Sequence, residues 1–499
     1  MTGEPEGTDG HPLAYSSAGH LLEMLRRRSI SATELLAAAI ARIEALDGAI
    51  NAVVVRDFAR ARAAAEEADA ALGRGERGPL LGLPMTVKES FSVAGLPTSW
   101  GNPAFKDWVP EADSLVVARL KAAGAVILGK TNVPLMLTDY QSDNAIFGRT
   151  GNPWDVTRTP GGSSGGSAAA LAAGFVPLEL GSDLGGSLRV PAHFCGVYAH
   201  RPSHGLLPMR GAGPPQAPVQ PDAVDFAVPG PMARSAKDLA LALDVLAGPD
   251  PLTEGKGYRL DLPQPRHARL QDYRVLLLDT HPLCPTAASL RGALDALGER
   301  LSRAGCAVSR DSPLLPDLAE GARLFRTLLA AFSSANLPEP VHRPMAQAAL
   351  ALDADDTSLG ACWLRGMALS HRDWLLLGRR RSRIAAQWRA VFAAFDVVLS
   401  PVMPTVAFPH DGRPDPRERR IVIDGAEVPY VDQGVWLGMS PLSGLPATAV
   451  PLGLSAEGLP LGMQILGEYL EDRTTIGFAA QLEEAFGGFT APPLRPCNV

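Results

Sequence analysis

The sequence predicts an α/β protein in which a mixed, twisted β-sheet core is covered by helices. Apolar runs of strand length recur along the chain, at 84–88 (PMTVK), 125–129 (AVILG), 175–180 (FVPLEL), 273–279 (YRVLLLD), 396–400 (DVVLS), 447–452 (ATAVPL) and 461–466 (LGMQIL). Segments with apolar residues at helical spacing lie between them, and this alternation is the pattern of a sheet flanked by helices. The 499 residues show no repeat, heptad or low-complexity linker at which to divide them, so 1–499 reads as a single domain.

Residues 18–50 read as two helices. The second opens at Ser31 with Glu34 three residues on, a capping box followed by Leu35, Leu36, Ile40, Ile43 and Leu46 at helical spacing. The Ala, Arg and Glu-rich segment 56–72 continues as helix. Residues 205–231 read as loop, with most of the turn formers in GLLPMRGAGPPQAPVQP, and helix resumes at ARSAKDLALALDVLAG. The region 317–395 reads as mainly helical and is a candidate part of a substrate pocket. Within it Arg365, Arg372, Arg379, Arg380, Arg381, Arg383 and Arg389 crowd together, which reads as a solvated helix face.

Composition excludes several function classes. With 46% hydrophobic and 20% charged residues the chain is neither disordered nor fibrous. Its 53 acidic against 46 basic residues leave no basic footprint for nucleic acid. The N-terminal MTGEPEGTDGHPLAYSS lacks the basic and apolar halves of a secretory signal, and no apolar run approaches the ~20 residues of a membrane span. A cytoplasmic protein without a membrane partner is expected. The five cysteines, Cys195, Cys284, Cys306, Cys362 and Cys497, are scattered without CxxC spacing, which argues against a disulfide framework or a zinc site.

Four patterns match familiar motifs and fail on context. Gly124 to Thr131 satisfies GxxxxGK[ST], but the intervening residues are themselves a strand, and Pro134 stands where the helix should begin. Gly73-x-Gly75-x-x-Gly78 ends an Ala-rich helix instead of following a strand, so it reads as a charged turn. Gly161-x-Ser163-x-Gly165 fits a nucleophile elbow, yet the preceding GNPWDVTRTP is loop where the elbow demands a strand. His193, His200 and His204 match neither HExxH nor a helical i, i+4 metal pair.

Two glycine and serine-rich loops carry the chemistry. Thr159-Pro-Gly-Gly-Ser163-Ser164-Gly-Gly-Ser167 precedes an Ala-rich helix, where small residues allow close approach of backbone to ligand. After the strand FVPLEL comes Gly181-Ser-Asp183-Leu184-Gly185-Gly186-Ser187-Leu-Arg189, in which glycines ahead of one serine can aim successive N–H groups at one spot. That is the design of an oxyanion hole beside a nucleophile.

With these loops, the lysine-bearing strand Leu83-Pro-Met-Thr-Val-Lys88, and the pieces GAVILGKTN (124–132), DYQSDNAIFGRTGNP (139–153), GPMARSAKDL (230–239), SGLPATAVPLG and GLPLGMQILGE, the chain resembles the amidase signature family over nearly its whole length. The resemblance implies that Ser187 is the nucleophile, Ser163 a bridging serine on a cis peptide, and Lys88 the base. It implies an oxyanion hole from the amides of Leu184, Gly185, Gly186 and Ser187, with Ser164, Asp183 and Arg189 in supporting roles. A serine alcohol is a weak nucleophile until a base takes its proton, and lysine can do so only when neutral, so Lys88 is expected to be buried.

The implied activity is hydrolysis of an acyl C–N bond in a small-molecule amide, anilide or carbamate through an acyl-enzyme, with no metal or organic cofactor. The family also contains the glutaminase subunit of tRNA-dependent amidotransferases, which is the alternative reading. Where many members read GLKPTxG, this chain has Ala199-His-Arg-Pro-Ser-His-Gly205, which puts transfer of substrate specificity in doubt. The apolar residues Leu206, Leu207, Pro208, Met209, Pro214 and Pro215 in the loop 206–219 are expected to wall the pocket and to favour a bulky, aryl substrate.

Overall fold

The computed structural model describes residues 13–217 and 224–494. Most of the N-terminal stretch read for a secretory signal, the end of the 206–219 loop and Cys497 lie outside them. An 11-stranded mixed sheet runs in the order Val53–Arg56, Val126–Thr131, Pro84–Lys88, Leu178–Asp183, Val228–Ala233, Tyr198–Arg201, Ala447–Leu454, Pro460–Leu466, Val397–Pro401, Arg274–Leu277, Ala307–Ser309. Every residue of Pro84–Lys88, Val126–Thr131, Val397–Pro401 and Pro460–Leu466 is buried. Strands covered on both faces are mostly apolar, which is why these segments appear in the sequence as apolar runs, and their polar members such as Lys88, Lys130 and Gln464 are hydrogen-bonded.

The helices follow from their local signals. Ser31 Oγ accepts from Glu34 N at 3.1 Å and Glu34 Oε2 accepts from Ser31 N at 2.8 Å, closing the capping box at the head of Ala32–Ile50. The segment 56–72 is the helix Phe58–Gly73. The region 317–395 holds the helices Leu318–Ser334, Glu339–Leu350, Leu359–Met367 and His371–Ala394. Of its arginines, Arg372, Arg379, Arg380, Arg383 and Arg389 are exposed. Arg381 instead turns inward to Leu442 O and Asp225.

The reading of 205–231 as loop throughout is corrected by the strand Val228–Ala233. Proline has no N–H for a ladder, so Pro229 and Pro231 argue against a central strand. The segment nonetheless pairs with Leu178–Asp183 on one side and Tyr198–Arg201 on the other. Gly230 makes this fit: a Cβ there would stand 2.2 Å from His200 O. The phosphate-loop mimic is settled by the same logic of pairing, because Lys130 lies inside Val126–Thr131 and donates to Pro97 O and Thr98 Oγ1, both at 2.6 Å.

What positions the site is the parallel pairing of Val126–Thr131, Pro84–Lys88 and Leu178–Asp183. Parallel neighbours end at the same edge of a sheet, and ligand crevices form outside such carboxyl ends. Thr86 stands opposite Glu179 and Val87 opposite Leu180, so the register brings Lys88 level with Gly181, one residue before Ser182.

Gly230→Ala is expected to lower stability by about 1–3 kcal/mol, the cost of overpacking a dense core. Urea unfolding measures it, and an unchanged midpoint would contradict the close approach of these strands.

Candidate active site

Lys88 is 0% exposed. Its Nζ lies 2.7 Å from Ser163 Oγ and 2.8 Å from Ser182 Oγ. Burial pushes the amine down to about 7, against the opposing pull of Asp183, Glu179 and Glu89. Below it on the same strand face, Thr86 Oγ1 donates to Glu179 Oε1 at 2.5 Å. Burial raises the Glu179 carboxyl to about 8, so near neutral pH it holds its proton and adds little negative charge to keep the lysine protonated.

The two serine-rich loops meet above this amine. The Gly162–Ser163 peptide is cis, and Ser163 is 2% exposed. Ser164 N donates to Ser187 O at 3.1 Å, while Ser164 Oγ donates to Ser182 O at 3.3 Å and accepts from Ser182 N at 3.4 Å. One residue thus ties the loop carrying Ser163 to both ends of the loop carrying Ser187. Ser187 itself is partly exposed. It follows Gly186, whose φ of +109° and hypothetical Cβ, 2.5 Å from Leu437 Cδ1, admit only glycine.

Asp183 holds the second loop. Its Oδ1 accepts from Gly186 N at 2.8 Å and its Oδ2 from Leu188 N at 3.2 Å, and Arg189 makes a two-pronged ion pair with it at 3.0 and 3.1 Å. Arg189 also donates to Leu437 O and Gln464 Oε1. Burial alone would raise the Asp183 carboxyl, but Arg189 and Arg201 outweigh it and hold the group at about 2. Of the four amides the resemblance assigns to the oxyanion hole, that of Gly186 is therefore spent on Asp183. The N–H groups of Leu184, Gly185 and Ser187 have no acceptor among the described residues. Tyr140 donates its hydroxyl to Gly185 O at 3.2 Å, on the opposite edge of the loop.

The family-model comparison matches the amidase model over residues 34–476. The chain belongs to the amidase signature family. It is 35% identical to a glutamyl-tRNA(Gln) amidotransferase subunit of Anaeromyxobacter dehalogenans (strain 2CP-C), covering 93% of this chain and 95% of that one. It is 31% identical to fatty-acid amide hydrolase 2-A of Danio rerio, covering 97% and 91%. Among solved structures, a bacterial aryl acylamidase of the amidase signature enzymes superposes with a TM-score of 0.78 at 26% identity, covering 96% and 97%. The mixed sheet with its helices matches amidase signature structures, and membership indicates a hydrolase acting on C–N bonds.

In this amidase signature chain the residues that stand against the Ser187 loop are not the ones the sequence suggests. Leu206 and Leu207 are 3% and 2% exposed and belong to the main core. Their segment is fastened elsewhere than to the Ser187 loop: Leu206 O accepts from Gly248 N, Arg210 O from Leu115 N, and Arg210 pairs with Asp250. The surfaces that do approach the loop come from Leu318–Ser334 and from the arm near 437. A Cβ on Gly185 would meet Leu329 Cδ2 at 3.4 Å and Phe325 Cζ at 3.8 Å. Phe325, Leu329 and Leu437 carry no motif, and only helical periodicity marks the first two.

Sequence reasoning also missed Ser182 and Tyr140, although both sit inside stretches quoted for the resemblance. The three histidines are engaged internally. His193 ring nitrogens reach Gly462 O and Thr405 O, His200 bridges Thr448 and Asp472, and His204 reaches Val224 O.

Asp183→Asn removes the counter-charge of two buried guanidinium groups, Arg189 at 3.0 Å and Arg201 at 3.6 Å. Breaking a buried pair in this way costs about 3–5 kcal/mol. Guanidinium chloride unfolding of the variant is expected to show a loss of that size, and a loss below about 1 kcal/mol would contradict the role given to Asp183.

Proposed function

We propose that the protein hydrolyses apolar carboxylic amides, anilides or aryl carbamates through an acyl-enzyme on Ser187. The observation that carries this reading is a fully buried Lys88 amine, held near pKa 7 and 2.7 Å from Ser163 Oγ. In the proposed reaction Ser187 Oγ attacks the carbonyl carbon and its proton passes to Ser163, whose own proton passes to the neutral Lys88 amine. The N–H groups of Leu184, Gly185 and Ser187 receive the developing oxyanion, and Gly186 shapes the loop through Asp183. The proton then returns from Lys88 through Ser163 to the departing nitrogen, and the C–N bond breaks. Water attacks the resulting ester by the same relay, which releases the acid and restores the serine.

Substrate preference follows from the walls. Leu329, partly exposed beside Gly185 and backed by the buried Phe325 and Leu437, gains affinity by covering apolar groups, about 0.8 kcal/mol for each methylene. A second reading, the glutaminase component of an amidotransferase, is favoured by the 35% identical relative from such a complex. The apolar wall favours the first. Cytoplasmic action is part of the proposal, and the buried free thiols Cys195, Cys284, Cys306 and Cys362 suit a reducing compartment. Among the described residues no helix is long and apolar enough to cross a membrane.

Lys88→Ala, Ser163→Ala and Ser187→Ala are each expected to lower kcat by roughly 10³-fold or more, and the double variants no further, because members of one relay fail together. Steady-state kinetics on an anilide checks this, and wild-type turnover in Ser187→Ala would refute the assignment. A 4-nitroanilide is expected to exceed acetamide in kcat/KM by at least roughly tenfold. Glutamine as the best substrate would establish the second reading.

Protonated Lys88 cannot act as a base, so kcat/KM is expected to be low in acid, to rise as pH passes about 7 and to level off above it. A profile that is flat from pH 5 to 9, or that peaks near 5, would remove Lys88 from the relay.

A further inference from the structure

The helix Leu318–Ser334 brings a charge to the pocket together with its apolar residues. Arg326 follows Phe325 and stands three residues before Leu329, the helical spacing that puts residues on neighbouring parts of one face. Its guanidinium lies 4.2 Å from the Trp363 ring centre. Its Nε is buried without a hydrogen-bond partner. Among the described residues none forms a hydrogen bond or ion pair with the group; Tyr140 and Asp432 act on it only through space.

The other deeply buried arginines are each held by several hydrogen bonds, although Arg201 and Arg234 also leave Nε unmatched. Arg189 donates to Asp183, Leu437 O and Gln464, Arg201 to Pro202 O and Phe226 O, and Arg234 to Leu171 O and Val176 O. Taking a guanidinium out of water is costly unless its donors are met, so a partly buried one left open points to a partner that arrives with the ligand. The place is right for substrate. Tyr140, whose field Arg326 shares, donates to Gly185 O in the nucleophile loop. Gly434 lets the Tyr140 hydroxyl pack close, since a Cβ there would stand 3.0 Å from Tyr140 Oη. The planar fork of an arginine matches a carboxylate in two-pronged geometry, and the indole face behind it fixes the plane.

We propose that Arg326, backed by Trp363 and beside Tyr140, receives a carboxylate of the substrate, so that the preferred amides combine an apolar body with one acidic group. This rests on the reading of Ser187 as the reacting residue. Leu329, backed by Phe325, covers the apolar body, and Arg326 selects which apolar amides bind well. It is a specificity residue that does not touch the reacting atoms.

The test measures binding to Ser187→Ala by calorimetry, with and without Arg326→Gln. The probes are two carboxylated anilides, glutaric acid mono-4-nitroanilide and 4-acetamidobenzoate, and their neutral counterparts, pentanoic acid 4-nitroanilide and acetanilide. At least one carboxylated probe is expected to bind roughly tenfold to hundredfold more tightly than its counterpart, the worth of a charge-assisted hydrogen bond. Arg326→Gln is expected to abolish that advantage while leaving the neutral probes within about twofold, and Arg326→Lys to keep part of it. Equal affinity for charged and neutral probes, or an equal loss on all four in a variant whose thermal unfolding is unchanged, would overturn the inference. Hydrolysis of the same probes by wild type separates the two claims. Arg326-dependent binding without nitroaniline release would overturn the amidase reading alone, and hydrolysis without carboxylate preference would overturn the subsite alone.

Discussion

The arrangement depends on one lysine kept out of water. Lys88 ends an interior parallel strand, the third of the eleven, flanked by Val126–Thr131 and Leu178–Asp183. Burial disfavours the charged form, and the nearest carboxyls do not restore it: Glu179 is itself raised to about 8, and Asp183 is occupied by Arg189 and Arg201. Between pH about 7 and about 10.4 an unfolded lysine would hold a proton that the folded one lacks, so folding becomes more favourable as pH rises through that window. A neutral amine near physiological pH is therefore a property of the whole core and not of a local motif.

The loop carrying Ser187, the proposed nucleophile, depends on the same strands by a second route. Asp183 ends the strand next to that of Lys88, and its carboxylate fixes Gly186 N, Leu188 N and Arg189 together. Arg189 carries the constraint on to Gln464 in Pro460–Leu466 and to the arm at Leu437. The position of Ser187 relative to the amine is thus set by charges buried on both sides of the loop, while Ser164 ties the loops directly.

Much of this was legible in the sequence. Fully buried strands announce themselves as largely apolar runs, while Lys88 was marked by the resemblance to the family and not by its spacing. The capping box at Ser31 and the glycine-rich loops were readable because their chemistry is local. What failed was non-local. Pro229 and Pro231 concealed a central strand, since only the partner strands reveal that Gly230 lets the backbone in. Leu206 and Leu207 looked like a substrate wall because sequence shows that a residue is apolar but not which surface covers it. Phe325 and Leu329 do approach the loop from more than 130 positions away, a distance that no spacing rule bridges. The oxyanion loop was legible as a motif, but the loss of the Gly186 amide to Asp183 was not.

The claim that the relay turns on a neutral lysine can be measured without any substrate. The chain has six lysines, at 88, 106, 121, 130, 237 and 256, so heteronuclear NMR of protein labelled at the lysine ε-carbon gives few signals, and Lys88→Met identifies the one that matters. Its titration midpoint is expected near 7. A midpoint at or above the ordinary value of about 10.4 would show a charged lysine at working pH and contradict the account.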